Sequence, residues 1–370
     1  MRGYAAVTEL STLKVDSEAT YRVGFLLLEN FTLMSLASAM EPIRMANHLS
    51  GKRLYDWTII GATTEQVMSS GGVKVLPDIS LLSPVEFDLV LVVAGINVKD
   101  ALNLDITRWL RSISKKVQMI GGLCTGAYAL ARAGLLDGYS TSAHWECLAA
   151  LQEEYPLVYC NNHLFTFDRN RMTCTGGDVP LHMMIHLVAS QRGQAIANGI
   201  IDMFVCERIR DSHEPQRLRM ESKLFANQPK LATAVQLMEA NIEELIDLSE
   251  VASYSGISRR QLERLFLTNL SVTPSRFYLK LRLERAKQLL TQTSCSVVEI
   301  STMCGFVSAP HFSRCYRKHM GCSPTGEREN RNGFGAGIVL TEESAGLVLS
   351  QSDSALEKAR RETSFGKLAE

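Results

Sequence analysis

Apolar positions follow two different rules along this chain. From Arg22 to Cys174, short continuous apolar runs alternate with stretches of helical spacing. Arg22–Leu28, Trp57–Ala62, Phe87–Val93 and Val117–Gly121 predict strands. Phe31–His48 and Leu102–Ile113 predict helices between them, and Gly71-Gly72 marks a turn. Runs without polar alternation belong to strands buried on both faces, so the pattern predicts a parallel sheet covered by helices on each side. His163–Asp168 and Arg171–Cys174 read as a hairpin. Asp178–Arg210 reads as a long helical stretch interrupted near Gly193. Beyond it the spacing is helical only. The length of 370 residues exceeds what one core usually supports. The expected division is a flexible segment 1–20, an α/β domain 21–210, a linker 211–228 with Pro215, a helical domain 229–326, and a disordered tail 327–370 rich in Gly, Ser, Glu and Lys.

The helical part repeats itself. Ser296–Pro324 reads as a short helix with apolar Val297, Val298, Ile300 and Met303, a turn at Gly305, and a second helix capped by Ser308 with Pro310 in its first turn. Phe312 and Tyr316 fall on the inner face of that second helix, and Arg314, Arg317 and Lys318 on the outer one. About fifty residues upstream, Leu248–Pro274 has the same order: Glu250 matches Glu299, Gly256 matches Gly305, Ser258 matches Ser308, Leu262 matches Phe312, Arg264 matches Arg314 and Phe266 matches Tyr316. A short helix, a glycine turn and a basic second helix form a helix-turn-helix, here used twice. Between the copies, Pro274–Leu290 predicts one helix with an apolar stripe of Leu279, Leu283, Ala286 and Leu290. Seventeen residues span about 25 Å, in the range needed to hold two recognition helices about one DNA turn apart.

The formal net charge of zero hides an asymmetry. Between Ser258 and Lys318 lie Arg259, Arg260, Arg264, Arg276, Lys280, Arg282, Arg285, Lys287, Arg314, Arg317 and Lys318, opposed only by Glu263, Glu284 and Glu299. Such a local surplus suits a phosphate-facing surface. The nine cysteines include no C-x-x-C pair, and no secretory signal is read at the N-terminus, so reduced thiols in a cytoplasmic protein are expected. No apolar run is long enough to span a bilayer.

The segment from about Asn227 to Thr325, with GFVSAPHFSRCYRKHMGCSP as its most specific stretch, resembles the DNA-binding domain of AraC-type transcriptional regulators. The resemblance implies double-stranded promoter DNA and RNA polymerase as partners, activation as the usual output, and a homodimer. On the outward faces, Arg260, Arg264, His311 and Arg314 are expected to approach base edges. Arg259, Ser308, Arg317 and Lys318 complete the contact set; a phosphate contact is the alternative for Arg264, and Glu263 is expected to restrain it or accept from cytosine.

Gly121-Gly122-Leu123-Cys124-Thr125-Gly126 sits between an expected strand and an expected helix, the layout of a nucleophile elbow. A helix N-terminus there would lower the thiol pKa and favour an anionic group. The residues alone leave two readings, a cysteine nucleophile or a binding pocket of the same geometry. With Met40-Glu41-Pro42, Ala143-His144-Trp145 and CTGGDVPLHMMIHLV, the stretch Tyr21–Arg210 resembles the PfpI-type domains related to class I glutamine amidotransferases, used as sensors by a subgroup of AraC-type regulators. That resemblance implies a flavodoxin-like fold. Active PfpI-type hydrolases carry a histidine directly after the cysteine, where this chain has Thr125, and related enzymes place an acid where Ser35 aligns. Both departures point away from catalysis, so no catalytic residue, cofactor or metal is expected. His144 could still pair with Cys124 as a dyad; otherwise it shapes a pocket or caps a helix. That dyad keeps open the alternative of a cysteine hydrolase or hydratase fused to a DNA-binding domain. Asp178, His182 and His186 have metal-compatible spacing, but the Met-rich apolar helix around them favours a packed pair.

The expected ligand set is Cys124, Thr125, His144, Trp145, Glu146 and Asp178. The resemblance runs to regulators of arginine, betaine and carnitine catabolism, which implies one of these or a related amine as inducer. The helix end after Cys124 would take its carboxylate, Trp145 its cationic head, and Glu41, Glu146 or Asp178 the countercharge.

Overall fold

The computed structural model describes residues 19–214, 216 and 228–330. Its N-terminal part is built on a seven-stranded sheet of β1 (Tyr21–Leu27), β2 (Tyr55–Gly61), β5 (Ile79–Ser80), β6 (Leu89–Val93), β7 (Met119–Leu123), β10 (Phe165–Asp168) and β11 (Arg171–Cys174). The order is β10-β11-β7-β6-β1-β2-β5. All neighbours pair in parallel except β10 and β11, the predicted hairpin, which pair antiparallel at the edge. Two small ribbons stand apart: β3 (Val67–Met68) with β4 (Lys74–Val75), turning through Gly72, and β8 (Ser140–Thr141) with β9 (Tyr159–Cys160).

The unbroken apolar runs resolve into two alternating sets. Val23, Phe25 and Leu27 of β1 and Leu89, Leu91 and Val93 of β6 enter one core. Leu26, Val90 and Val92 enter the other. The first core is covered by α1 (Leu33–Ser50), α5 (Val179–Arg192) and α6 (Gln194–Met203). The second is covered by α2 (Leu104–Ile113), α3 (Gly126–Arg132) and α4 (Trp145–Glu154). Met183 and Met184 are fully buried and fill core, as their setting predicted. The stretch expected to be helical to Arg210 breaks at Gly193, with φ +89, and ends at Met203. The first residues of the expected linker lie against this part: the Leu164 N–H donates to the Ser212 carbonyl at 2.8 Å, and Gln216 reaches the Ala143 carbonyl at 3.1 Å.

The helical part comprises α7 (Pro229–Ala240), α8 (Leu248–Tyr254), α9 (Arg259–Leu270), α10 (Pro274–Gln292), α11 (Val297–Met303), α12 (Ala309–Met320) and α13 (Pro324–Asn330). The last carries regular structure past the point where the tail was expected to begin; residues 331–370, like 1–18, lie outside the described residues. Reciprocal capping boxes start α8 (Asp247 with Glu250), α9 (Ser258 with Gln261) and α11 (Ser296 with Glu299), satisfying backbone donors that would otherwise be orphaned. Helix α10 buries two faces rather than the single stripe expected. Phe277, Tyr278 and Leu281 join the core of the first repeat. Leu283, Ala286, Leu289 and Leu290 join that of the second. Val298, expected on the apolar face of α11, is 63% exposed.

Gly256 and Gly305 turn the two repeats with φ of +67 and +72. An alanine at either costs about 1–2 kcal/mol for the left-handed backbone. At Gly256 a Cβ meets nothing within 4 Å, whereas at Gly305 it would lie 2.6 Å from the Ile242 carbonyl oxygen. Gly305→Ala is therefore expected to lower stability more than Gly256→Ala in urea denaturation of the full chain; equal losses would contradict the clash.

Candidate functional site

The turns leaving the carboxyl ends of β1, β6, β7 and β11 converge on Cys124. This is the edge of a parallel sheet at which open α/β folds place their ligands. Cys124 itself has φ +59, the strained conformation of an elbow. The Thr32 hydroxyl, after β1, donates to Cys124 Sγ at 3.7 Å. Thr125 does not cap α3 with its side chain; its hydroxyl donates to the Gly95 carbonyl, after β6, at 2.6 Å. After β11, Gly176 leaves no room for a side chain: a Cβ there would lie 2.9 Å from Cys124 Sγ and 3.2 Å from His144 Cδ2. Cys124 and His144 thus flank one glycine, and the His144 N–H donates to the Cys124 carbonyl at 3.1 Å.

His144 also caps α4, its Nδ1 accepting from the Glu146 N–H at 3.4 Å. Trp145 is half-buried, its ring tilted against His144 at 5.4 Å. The exposed Glu146 brings a carboxylate oxygen to 3.7 Å from His144 Nδ1. Asp178 stands two residues beyond Gly176, but its carboxylate turns to His182 Nε2 at 3.7 Å. Glu41 is held by Arg44 at 2.6 Å. Of the three acids considered as countercharge, Glu146 is the one beside His144. Ser35 is fully buried on α1, with no hydrogen-bond partner for its hydroxyl among the described residues. Thr32, Gly95 and Gly176 were not singled out by sequence. Their one signal is that each lies two to five residues past the end of a strand.

The electrostatics reverse one expectation. Burial pushes the Cys124 thiol up, outweighing the hydrogen bonds from the Thr32 hydroxyl and the Thr125 backbone that pull it down, and the nearby Glu146 carboxylate adds to the rise. The helix end was expected to lower it; α3 is only seven residues long, and the thiol is 7% exposed. His182 is pushed down by burial, and so is His186. Among the described residues no group of three metal-ligating side chains forms.

The helical part presents the second candidate surface. On α9, Arg260 and Arg264 are exposed, and Arg259 is drawn into an ion pair with Glu263 at 3.2 Å. Glu263, expected to restrain Arg264, restrains Arg259. On α12, Ser308 spends its hydroxyl on the cap, accepting from the His311 N–H at 3.4 Å. His311, Arg314, Arg317 and Lys318 are exposed. His311 Nε2 lies 3.4 Å from Cys315 Sγ. Arg260, Arg264, Arg314, Arg317 and Lys318 have no ion pair among the described residues.

The basic surplus is smaller than the sequence count suggests. Lys280 faces Glu284 at 3.8 Å, Arg285 faces Glu153 at 3.3 Å and Lys287 faces Glu327 at 3.5 Å. Arg282 turns inward: its guanidinium donates to the Cys304 and Gly305 carbonyls at 2.8 Å each and stacks over Phe306 at 3.9 Å. It closes the carboxyl end of α11 and fixes the turn that aims α12. Sequence reasoning missed this role, although Arg282 lies between the apolar Leu281 and Leu283.

Each of the two parts of the chain matches a known family. Residues 22–189 match the DJ-1/PfpI family and residues 251–330 a helix-turn-helix domain family. The chain is 47% identical over 349 residues to the HTH-type transcriptional regulator GbdR of Pseudomonas aeruginosa, covering 94% of this chain and 95% of that one. It is 39% identical to the regulator CdhR of the same organism over 82% of this chain and 90% of that one. A crystal structure of an AraC family transcriptional regulator from Pseudomonas putida is similar at 30% identity and a TM-score of 0.46, over 50% of this chain and 99% of that one.

A buried thiol held protonated should be a slow nucleophile. Cys124 is expected to react with iodoacetamide about tenfold slower than an exposed cysteine at neutral pH, with the rate rising as pH increases toward its raised pKa. Peptide mass mapping after timed alkylation reads this directly. Rapid, pH-independent labelling of Cys124 would mean a stabilised thiolate.

Proposed function

The chain belongs to the AraC-type transcriptional regulators with an N-terminal DJ-1/PfpI domain, and on that footing we propose a division of labour between its two parts. The α/β part, about residues 21–210 with the docked start of the following segment, binds a small metabolite at the elbow. The helical part, about 229–326, reads two successive major-groove segments of promoter DNA. The observation that carries this reading is the mounting of both helix-turn-helix units on α10. Its 19 residues span about 28 Å, near the roughly 34 Å of one DNA turn. Arg260 and Arg264 on α9 and His311 and Arg314 on α12 are exposed and supply the base contacts. Arg317 and Lys318 take phosphates, and Arg259 and Ser308 set the helix ends. The protein acts in the cytoplasm as a homodimer that recruits RNA polymerase and activates amine or amino-acid catabolism genes. No helix among the described residues is long and apolar enough to cross a membrane.

The elbow serves binding rather than turnover, because its thiol is held protonated and Thr125 stands where a hydrolase has histidine. The inducer of this reading is a small zwitterion with a cationic nitrogen, such as arginine, glycine betaine, dimethylglycine or carnitine. Trp145 stacks on its cationic head, worth roughly 0.5–2 kcal/mol when desolvated, and Glu146 supplies the countercharge.

Two measurements test the halves separately. Arg264→Ala and Arg314→Ala are each expected to weaken binding to promoter duplex by about 1–3 kcal/mol while affecting random duplex less; unchanged specific affinity in both would refute the assigned faces. In calorimetry against arginine, glycine betaine, dimethylglycine and carnitine, one is expected to bind at micromolar affinity, weakened about tenfold by Trp145→Ala. Binding only of an uncharged or purely anionic metabolite would sink the amine inducer and leave the regulator reading standing.

A further inference from the structure

Helix α4 touches both functional regions. Its N-cap, His144, is hydrogen-bonded through its backbone to the Cys124 carbonyl and flanks the thiol across Gly176. Its carboxyl end is tied to the elbow helix: Glu154 accepts from the Tyr128 hydroxyl on α3 and from the Lys99 ammonium. Between these anchors its side chains part. Cys147 and Leu151 enter the core of the α/β part. Ala149, 1% exposed, enters the core formed by Leu283, Ala286, Ile300 and Phe312 of the second helix-turn-helix. One turn on, Glu153 accepts from Arg285 Nη2 of α10 at 3.3 Å. A small side chain there lets α10 approach closely, and Arg285 is only 22% exposed at its side chain.

We propose that α4 is the coupling element between the elbow pocket and the DNA-reading helices, with Ala149 and the Glu153–Arg285 pair as the joint. This inference rests on the regulator reading above. A ligand seated against His144 and Trp145 acts on the first turn of α4. Because Glu154 fixes the far end, the response is a tilt or roll of α4 rather than a local fraying. Ala149 and Glu153 deliver that movement to α10 beside Leu283–Ala286, between the half that carries the first repeat and the half that carries the second. A packed joint has discrete arrangements rather than continuous ones. Ligand occupancy therefore sets how α10, and with it the recognition helices it carries, is held against the α/β part.

Coupling between two sites is reciprocal, so DNA must be felt at the elbow. The test needs no knowledge of the inducer. Carbamidomethylation of Cys124 by iodoacetamide at mildly alkaline pH is timed by peptide mass mapping in the full chain, with and without a saturating random-sequence duplex at low ionic strength. The duplex is expected to change the Cys124 rate by about fivefold or more. Ala149→Trp, which wedges the joint, and Glu153→Arg, which breaks the pair, are expected to abolish that change. The charge-swapped Glu153→Arg/Arg285→Glu chain is expected to restore it. Thermal melting identifies any variant that fails to fold, and the two charge variants keep the test decisive if Ala149→Trp does. If the duplex binds and the wild-type Cys124 rate stays the same, or if the change survives Glu153→Arg, the coupling role is overturned and the regulator reading stands. If no duplex binds at all, both fall together.

Discussion

Helix α10 has to bury two apolar faces while carrying a strongly basic sequence, and the DNA-binding half of the protein follows from that constraint. Phe277, Tyr278 and Leu281 complete the first repeat, and Leu283, Ala286, Leu289 and Leu290 complete the second. Neither short three-helix unit closes a core alone, so sharing one rigid helix both stabilises them and sets their spacing. Four of the basic residues of α10 are consumed in the process, and Arg276 stays exposed near its start. Arg282 caps α11, while Lys280, Arg285 and Lys287 face carboxylates. Among the described residues, Arg260, Arg264, Arg314, Arg317 and Lys318 on the recognition helices α9 and α12 stay exposed and outside any ion pair, where a phosphate backbone can use them.

At the other functional region the controlling factor is burial. The elbow has the left-handed cysteine and convergent strand ends of a nucleophile site, yet the Cys124 thiol is pushed up rather than down. A seven-residue helix and a hydroxyl donor at 3.7 Å do not outweigh removal of the sulfur from water. The neighbouring Cys147 and Cys174 are raised by the same cause. The geometry of an enzyme is kept while its charge state is withheld, which suits a pocket that holds a ligand without reacting with it.

Much of the fold was legible in the sequence because the signals are local. Continuous apolar runs marked β1, β2, β6 and β7 to within about two residues of the observed ends, since a strand buried on both faces admits no polar position. The glycine turns and the Ser258 and Ser308 caps were readable for a related reason: a positive φ or an orphaned N–H restricts residue type at one position. The cysteine was visible from its glycine-flanked place between a strand and a helix and the outward arginines from helical spacing, whereas His144 was named through the family resemblance.

Only the tertiary structure decided what each group faces. The sequence offered Asp178, Glu41 and Glu146 equally as countercharges; contacts with His182 and Arg44 occupy the first two. It offered eleven basic residues to DNA, and Glu153, distant in sequence, takes one of them. It gave Thr125 as a pocket residue, whereas the carbonyl of Gly95 on a neighbouring strand end takes its hydroxyl. Propensity and periodicity are properties of neighbouring residues, so a chain states them directly. Charge pairing, desolvation and the sharing of a helix between two cores depend on segments far apart in sequence, and these are fixed only when the elements pack.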